Sequence, residues 1–315
     1  IESIENILKE STSVPIMDQL PNIRTSLWPH QSSSVSTIYS SIQRGAHGMG
    51  DASDVGSGKT LTTLALGVEL MRDRELTQGH SAILVLVPNK NLIDTWIDEI
   101  ENHTDGYHVL THTARRRVTE NDLRFNTIVI SALNTMRDHP IKNPWILTVI
   151  DECLSVQNSS AQWTEEAWKQ SLISLGVILL SATFFRARYN KLYYMLSMFR
   201  SNIPTSIEYL PTILNERIVV HKELSTGRTW HTQTTYIPFP SIIESEYNEI
   251  LMSTNDDSQK YGRLQSLLNT QRPYVADNIR TLLDIPGRRS IVYASGNEEA
   301  RIFSEILNIP IYGSR

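Results

Sequence analysis

Apolar runs of strand length alternate along the chain with segments whose apolar residues recur at helical spacing. Residues 83–87 form one run, the amphipathic segment 92–100 follows, and further runs fall at 127–130, 146–150 and 177–180. Each run is rich in Val, Ile and Leu and shows no strict alternation of apolar and polar positions. A strand of that kind is buried on both faces, as in a parallel sheet covered by helices on either side. The alternation therefore predicts an α/β fold built on a doubly wound parallel sheet.

Beyond the last run the pattern changes. Pro204, Pro211, Pro238 and Pro240 punctuate short extended pieces, which reads as an excursion between two lobes. Residues 241–283 are mostly polar, with Ile250, Leu251, Leu264, Leu267 and Leu268 at helical spacing. A Pro-Gly turn at Pro286 and Gly287 then leads into a new strand over 290–293. The expected organisation is an N-terminal extension (1–20), a first lobe (21–203), a linker with helical segments (204–284) and the start of a second α/β lobe (285–315). No internal repeat interrupts it.

Composition narrows the class. Apolar residues make up 40% and charged residues 20% of the 315-residue chain, enough to build a core and unlike a disordered protein. Cys153 is the single cysteine, which excludes an internal disulfide and any multi-cysteine zinc site and fits an intracellular compartment. No apolar run approaches the roughly 18 residues needed to cross a bilayer. The segment 1–10 mixes acids with isoleucines, unlike the basic and apolar regions of a signal peptide. A net charge of −5 argues against a protein that coats nucleic acid over its whole surface, and leaves room for a local basic groove.

The chemistry concentrates in three places. The first is Asp51-Ala-Ser-Asp-Val-Gly-Ser-Gly-Lys-Thr60, which runs directly into a helical pattern. Such a loop is a Walker A phosphate cradle: Gly56 and Gly58 let backbone N–H groups turn toward phosphates, Lys59 reaches the terminal phosphates, and the Thr60 hydroxyl ligates magnesium. Ser53, Asp54, Val55 and Ser57 complete the candidate nucleotide-binding loop, and the following helix adds its positive end. Ser53 stands where the general pattern has its first glycine, and Gly48-Met-Gly-Asp51 makes a poor first strand. The second place is Asp151-Glu152, delivered at the end of the apolar run 146–150. There Asp151 would hold magnesium and Glu152 would orient and deprotonate the attacking water. The third is Ser181-Ala-Thr183, two hydroxyls at the end of the run 177–180. Gly-Lys-Thr, then Asp-Glu, then Ser-Ala-Thr, in that order, is a combination foreign to kinases, GTPases and transporters with phosphate loops.

At these residues the chain resembles the superfamily-two helicases, and the resemblance runs over nearly its whole length. Leu27-Trp-Pro-His-Gln31 resembles the segment that precedes the phosphate loop, which implies that Gln31 contacts adenine. Residues 81–89, with the helix through Trp96, resemble the next motif, and 128–131 the strand before the acidic pair; both imply nucleic-acid contacts, with Pro88, Asn89 and Ser131 as candidates. Residues 192–199, 217–222 and 234–247 are similar to the inter-lobe segment of the Swi/Snf-like branch, and 290–295 and 309–314 resemble the opening of its second lobe, adding Ser295 as a candidate. The resemblance implies RecA-like lobes, ATP and Mg2+ as cofactors, Ser181 and Thr183 as coupling residues, and an ATPase that moves on duplex DNA without sequence preference, within a larger assembly at a site of DNA metabolism such as the nucleus. RNA is a possible alternative track.

Leu154 stands where the family commonly has His, Phe184 stands where Pro follows Ser-Ala-Thr, and no second-lobe arginine motif precedes Arg315. Such an arginine stabilises transition-state charge and is worth about a thousandfold in rate, so the chain as written is expected to bind ATP and hydrolyse it slowly. Two other readings stay open: a helicase that separates strands, and a non-catalytic subunit that binds ATP or DNA to organise an assembly. Elsewhere plainer readings prevail. Arg115, Arg116 and Arg117 read as a solvated loop, and His108 and His112, with no Cys or carboxylate cluster beside them, do not read as a metal site. Cys153 reads as packing, as do most of Trp145, Trp163, Trp168 and Trp230.

Overall fold

A computed structural model describes residues 20–184, 189–199, 206–221, 234, 236–238, 240–253, 256–283, 290–294 and 296–311. The chain divides into two compact units, 1–226 and 227–315.

The first unit is an all-parallel sheet of seven strands: β1 (Gly48–Asp51), β2 (Ile83–Val87), β3 (His108–His112), β4 (Thr127–Ala132), β5 (Leu147–Ile150), β6 (Gly176–Leu180) and β7 (Ile218–Val219), in the order β3-β4-β2-β5-β6-β1-β7. Successive residues of each run serve opposite faces. Leu84, Leu86, Val129, Ile150, Val177 and Leu179 enter one core, while Ile83, Val85, Val87, Ile130, Val149, Ile178 and Leu180 enter the other. The second core is closed by α1 (Pro29–Gln43), α2 (Lys59–Arg72) and α3 (Asn91–His103), through Val35, Ile38, Leu64, Leu66, Ile93, Trp96 and Ile100. The first core is closed by α4 (Leu133–Asp138), α5 (Gln162–Leu172), α6 (Tyr189–Leu196) and α7 (Leu210–Arg217). β2, β4, β5 and β6, buried along their whole length, thus sit between two helical layers, as the continuous apolar runs required.

β1 is a strand despite its two glycines, and it pairs with β6 and β7. A Cβ on Gly48 would lie 2.7 Å from Phe199 Cδ1, and one on Gly50 2.5 Å from Phe184 Cζ. The volume missing from β1 is filled by phenylalanines from other parts of the chain. β7, which lies beyond the expected boundary at 203, adds an edge strand to the same sheet through Ile218 and Val219.

The second unit carries α8 (Ser241–Met252), α9 (Asp257–Thr270), α10 (Arg272–Leu283) and α11 (Asn297–Leu307). Ile250, Leu267, Ala276 and Phe303 are buried in it, and Arg272 of α10 pairs with Glu298 and Glu299 of α11. The strand expected over 290–293 is not formed: residues 290–294 carry no strand pairing. Ile291 and Tyr293 are 79% and 88% exposed, so among the described residues no neighbouring strand covers the run that its sequence prepares.

Candidate functional site

All strands of a parallel sheet end at one edge, where open α/β sheets bind their ligands. The order β4-β2-β5-β6-β1 places along that edge, in turn, Ser131, Pro88 and Asn89, Asp151 and Glu152, Ser181, and the loop after Asp51.

The loop is shaped by glycine. Gly56 and Gly58 hold φ of 80° and 78°, a left-handed conformation that glycine adopts without steric cost. Gly58 caps α2, and a Cβ there would lie 2.2 Å from Gln31 Nε2. Gln31 itself is buried. It donates through Nε2 to Ser57 O at 3.1 Å and accepts from Trp28 N–H at 2.9 Å. The residue expected to read adenine therefore also straps the start of α1 to the loop. His30 Nε2 lies 2.9 Å from the same Ser57 carbonyl.

On its other side the loop is tied to the segment after β7. Ser53 Oγ accepts from His221 N–H at 3.0 Å, and Asp54 N–H donates to His221 O at 3.2 Å. A glycine at 53 could not make the first bond, which gives the departure from the general pattern a structural role. Asp51, buried at the end of β1, accepts from Ser53 N–H at 2.9 Å.

Lys59 Nζ donates to the carbonyls of Ser53, at 2.7 Å, and Asp54, at 3.0 Å. Burial lowers its pKa, against the opposing pull of Asp51, Glu152, Asp151 and Asp54. One ammonium thus faces four carboxylates. Asp151 accepts at Oδ2 from Trp96 Nε1–H and at Oδ1 from Glu152 N–H, both at 2.9 Å. Glu152 sits at φ 46° and ψ 57°, a left-handed position that costs a non-glycine residue roughly 1–2 kcal/mol. That turn brings Oε2 to 3.4 Å from Ser181 Oγ, which also lies 2.9 Å from Thr183 O and accepts from Thr183 N–H at 3.2 Å.

The donors present fit a nucleotide with magnesium. Around Lys59 they are carboxylates, backbone N–H groups and the hydroxyls of Thr60 and Ser57. Ser57 Oγ is buried with no hydrogen-bond partner among the described residues. The Thr60 hydroxyl and the Asp151 carboxylate are the hard oxygen donors that suit Mg2+, which binds through one or two carboxylates and keeps phosphate oxygens and waters as its other ligands. Among the described residues no cluster of three or more His, Cys, Asp or Glu could hold a metal alone.

Several expectations change. Ser131 is fully buried and its hydroxyl donates to Ala132 O at 3.2 Å. Asn89 is exposed beside a half-buried Pro88. Val55 is 87% exposed. Ser295 and Trp230 lie outside the described residues. His108 and His112 share a strand, not a helix; His112 is buried, 2.8 Å from His139 O. Cys153 is fully buried, and burial pushes its thiol pKa well up. Trp145 is a core residue whose indole donates to Gln170 Oε1 at 2.7 Å. Sequence reasoning missed Asp51, Trp96 as a partner of Asp151, and His221. A charge at the end of a short glycine-rich run was the one available signal for Asp51; the other two depend on which strands meet.

A seven-stranded parallel sheet with a glycine-shaped loop and an acidic pair at its carboxyl edge defines a RecA-like α/β lobe. The chain belongs to the SNF2-related family: the model of the SNF2-related domain matches residues 30–271. It is 41% identical over 318 residues to "Putative helicase L115" of Acanthamoeba polyphaga mimivirus, a match that covers 99% of this chain and 25% of that protein. The chain thus spans about a quarter of the relative's length. Among solved structures it is similar to the Sulfolobus solfataricus SWI2/SNF2 ATPase core in complex with dsDNA, with a TM-score of 0.51 and 18% identity over 82% of this chain and 60% of that one. It is similar also to the SWI2/SNF2 ATPase core domain of the same organism, with a TM-score of 0.50 and 18% identity over 85% and 61%. At that identity the likeness is one of fold.

Proposed function

We propose that this chain is the ATP-binding part of a DNA-dependent ATPase that translocates on duplex DNA. The observation that carries the reading is the convergence of the phosphate loop, Lys59, Asp151 and Glu152 on one edge of the sheet, in a member of the SNF2-related family. The helicase named in one relative and the dsDNA named with one structural neighbour support the nucleic-acid half.

In this reading Gly56 and Gly58 turn loop N–H groups onto the phosphates, and Gln31 couples the adenine segment to the loop through Ser57. Lys59 leaves the Ser53 and Asp54 carbonyls for the terminal phosphates, an exchange favoured because an anion satisfies the ammonium better than two neutral acceptors. Thr60 and Asp151 would hold Mg2+, which supplies neutralisation of the charge that develops on the phosphate oxygens. Glu152, held in its left-handed turn, orients a water in line with the terminal phosphate and takes its proton. Ser181 links that carboxylate to the 181–183 segment. The proposed lobe-1 track for DNA lies at Pro88 and Asn89, with backbone contacts and strong salt dependence. The whole protein is proposed to work inside a larger assembly at sites of DNA metabolism.

Triplex displacement separates this from strand unwinding. The full-length protein with ATP should strip a third strand from duplex DNA and leave a forked duplex intact. Release of single strands from the fork, on DNA or RNA, would identify a helicase instead. ATP binding without hydrolysis on any nucleic acid would identify a structural subunit.

A further inference from the structure

Trp96 lies on the sheet-facing side of α3 among Ile93 and Ile100, 2% exposed. That face is otherwise apolar, and a phenylalanine or leucine would pack there without an N–H to satisfy. A buried indole needs a partner for its N–H, and here the partner is one oxygen of the carboxylate that ends β5: Nε1 donates to Asp151 Oδ2 at 2.9 Å. The other oxygen accepts from Glu152 N–H at the same distance. Two charge-assisted bonds, one to each oxygen, fix the carboxylate's rotation while leaving each oxygen a further lone pair. The bond also joins two elements that carry different parts of the proposed machine, since α3 follows Pro88 and Asn89 directly.

We propose that Trp96 is a positioning residue for the magnesium carboxylate: its indole N–H sets the Asp151 rotamer that the metal needs and ties it to the helix behind Asn89. This rests on the reading of Asp151 as the magnesium-holding acid. Outer partners of metal ligands change metal affinity by about 10–100-fold when removed, and Trp96 occupies that place here.

The test uses full-length protein and a fluorescent ADP analogue, with nucleotide binding titrated against Mg2+. Trp96→Phe keeps the ring and removes the donor. The half-saturating Mg2+ concentration should rise about tenfold, while binding without metal stays within about twofold. An unchanged Mg2+ requirement, or an equal loss of binding with and without Mg2+, overturns the proposal and leaves Trp96 as packing. Wild-type binding indifferent to Mg2+ would instead remove the magnesium reading on which it rests. A second measurement needs no variant. In wild-type protein labelled with 5-fluorotryptophan, Mn2+ supplied with nucleotide should broaden one buried 19F resonance that nucleotide alone leaves sharp, and the absence of such a resonance overturns the proposal equally.

Discussion

The two halves of the sheet's carboxyl edge are built differently. From β5 through β6 to β1 the polar atoms are held by bonds from several elements: Asp151 by α3 and its own turn, Ser53 by the segment after β7, Gln31 between α1 and the phosphate loop. It also holds the left-handed Glu152, Gly56 and Gly58. From β2 to β4 the edge is plainer: Asn89 is exposed, its side chain accepts from the N–H two residues on and its carbonyl from Leu92 N–H, and Ser131 is sealed. Chemistry at a bond being broken needs atoms fixed within fractions of an ångström, whereas a surface that grips a backbone needs only exposed donors.

Substitutions on the ordered half should therefore cost most. In Glu152→Gln, steady-state ATP hydrolysis should fall by about 100-fold or more with nucleotide binding retained; a smaller fall would remove Glu152 as the base. Gly58→Ala comes next. It forces a Cβ into a φ of 78° and against Gln31, so ATP affinity should drop by about tenfold, corresponding to roughly 1–2 kcal/mol of left-handed strain. Because Gln31 itself belongs to the proposed nucleotide site, adding Gln31→Ala should not restore affinity; full recovery would refute the backbone argument. On the plainer half, Asn89→Ala should weaken duplex binding by a few-fold, about 1 kcal/mol for one hydrogen bond. Ser131→Ala should leave it unchanged in the same gel-shift series, and equal effects would erase the distinction between them.

The smallest expected effect lies away from the edge. Burial holds the His112 pKa below its ordinary value of 6.5, against the raising effect of its bond to His139. The folded chain therefore takes up fewer protons than the unfolded one in the window below about pH 6.5. The contribution is present above that pH and is lost as the pH falls toward the lower folded value. Urea midpoints should decline over this window, and His112→Gln should flatten part of the decline; parallel curves would assign it elsewhere.

The sequence made legible whatever local chemistry fixes. Continuous Val, Ile and Leu runs marked β2, β4, β5 and β6 because buried parallel strands tolerate no polar face. Gly-Lys-Thr and Asp-Glu marked the candidate site because phosphate and metal binding would demand those residue types. The rest depended on tertiary pairing. β1 was discounted for its glycines, whose missing volume comes from Phe184 and Phe199, far along the chain. Phe184, read as a departure from the family pattern, is thus matched to Gly50. β7 is two residues long, too short for a periodic signal. Ser131 was placed at the right strand end, but strand position alone does not say whether a side chain reaches the surface.

If this edge hydrolyses ATP in response to duplex DNA, the release of phosphate shows it. The most direct measurement is phosphate release by full-length protein, with and without duplex DNA, for the wild type and for Lys59→Ala. Hydrolysis should be stimulated by duplex and abolished by Lys59→Ala. No hydrolysis with duplex present while ATP is still bound, or stimulation that survives Lys59→Ala, would contradict the proposed function.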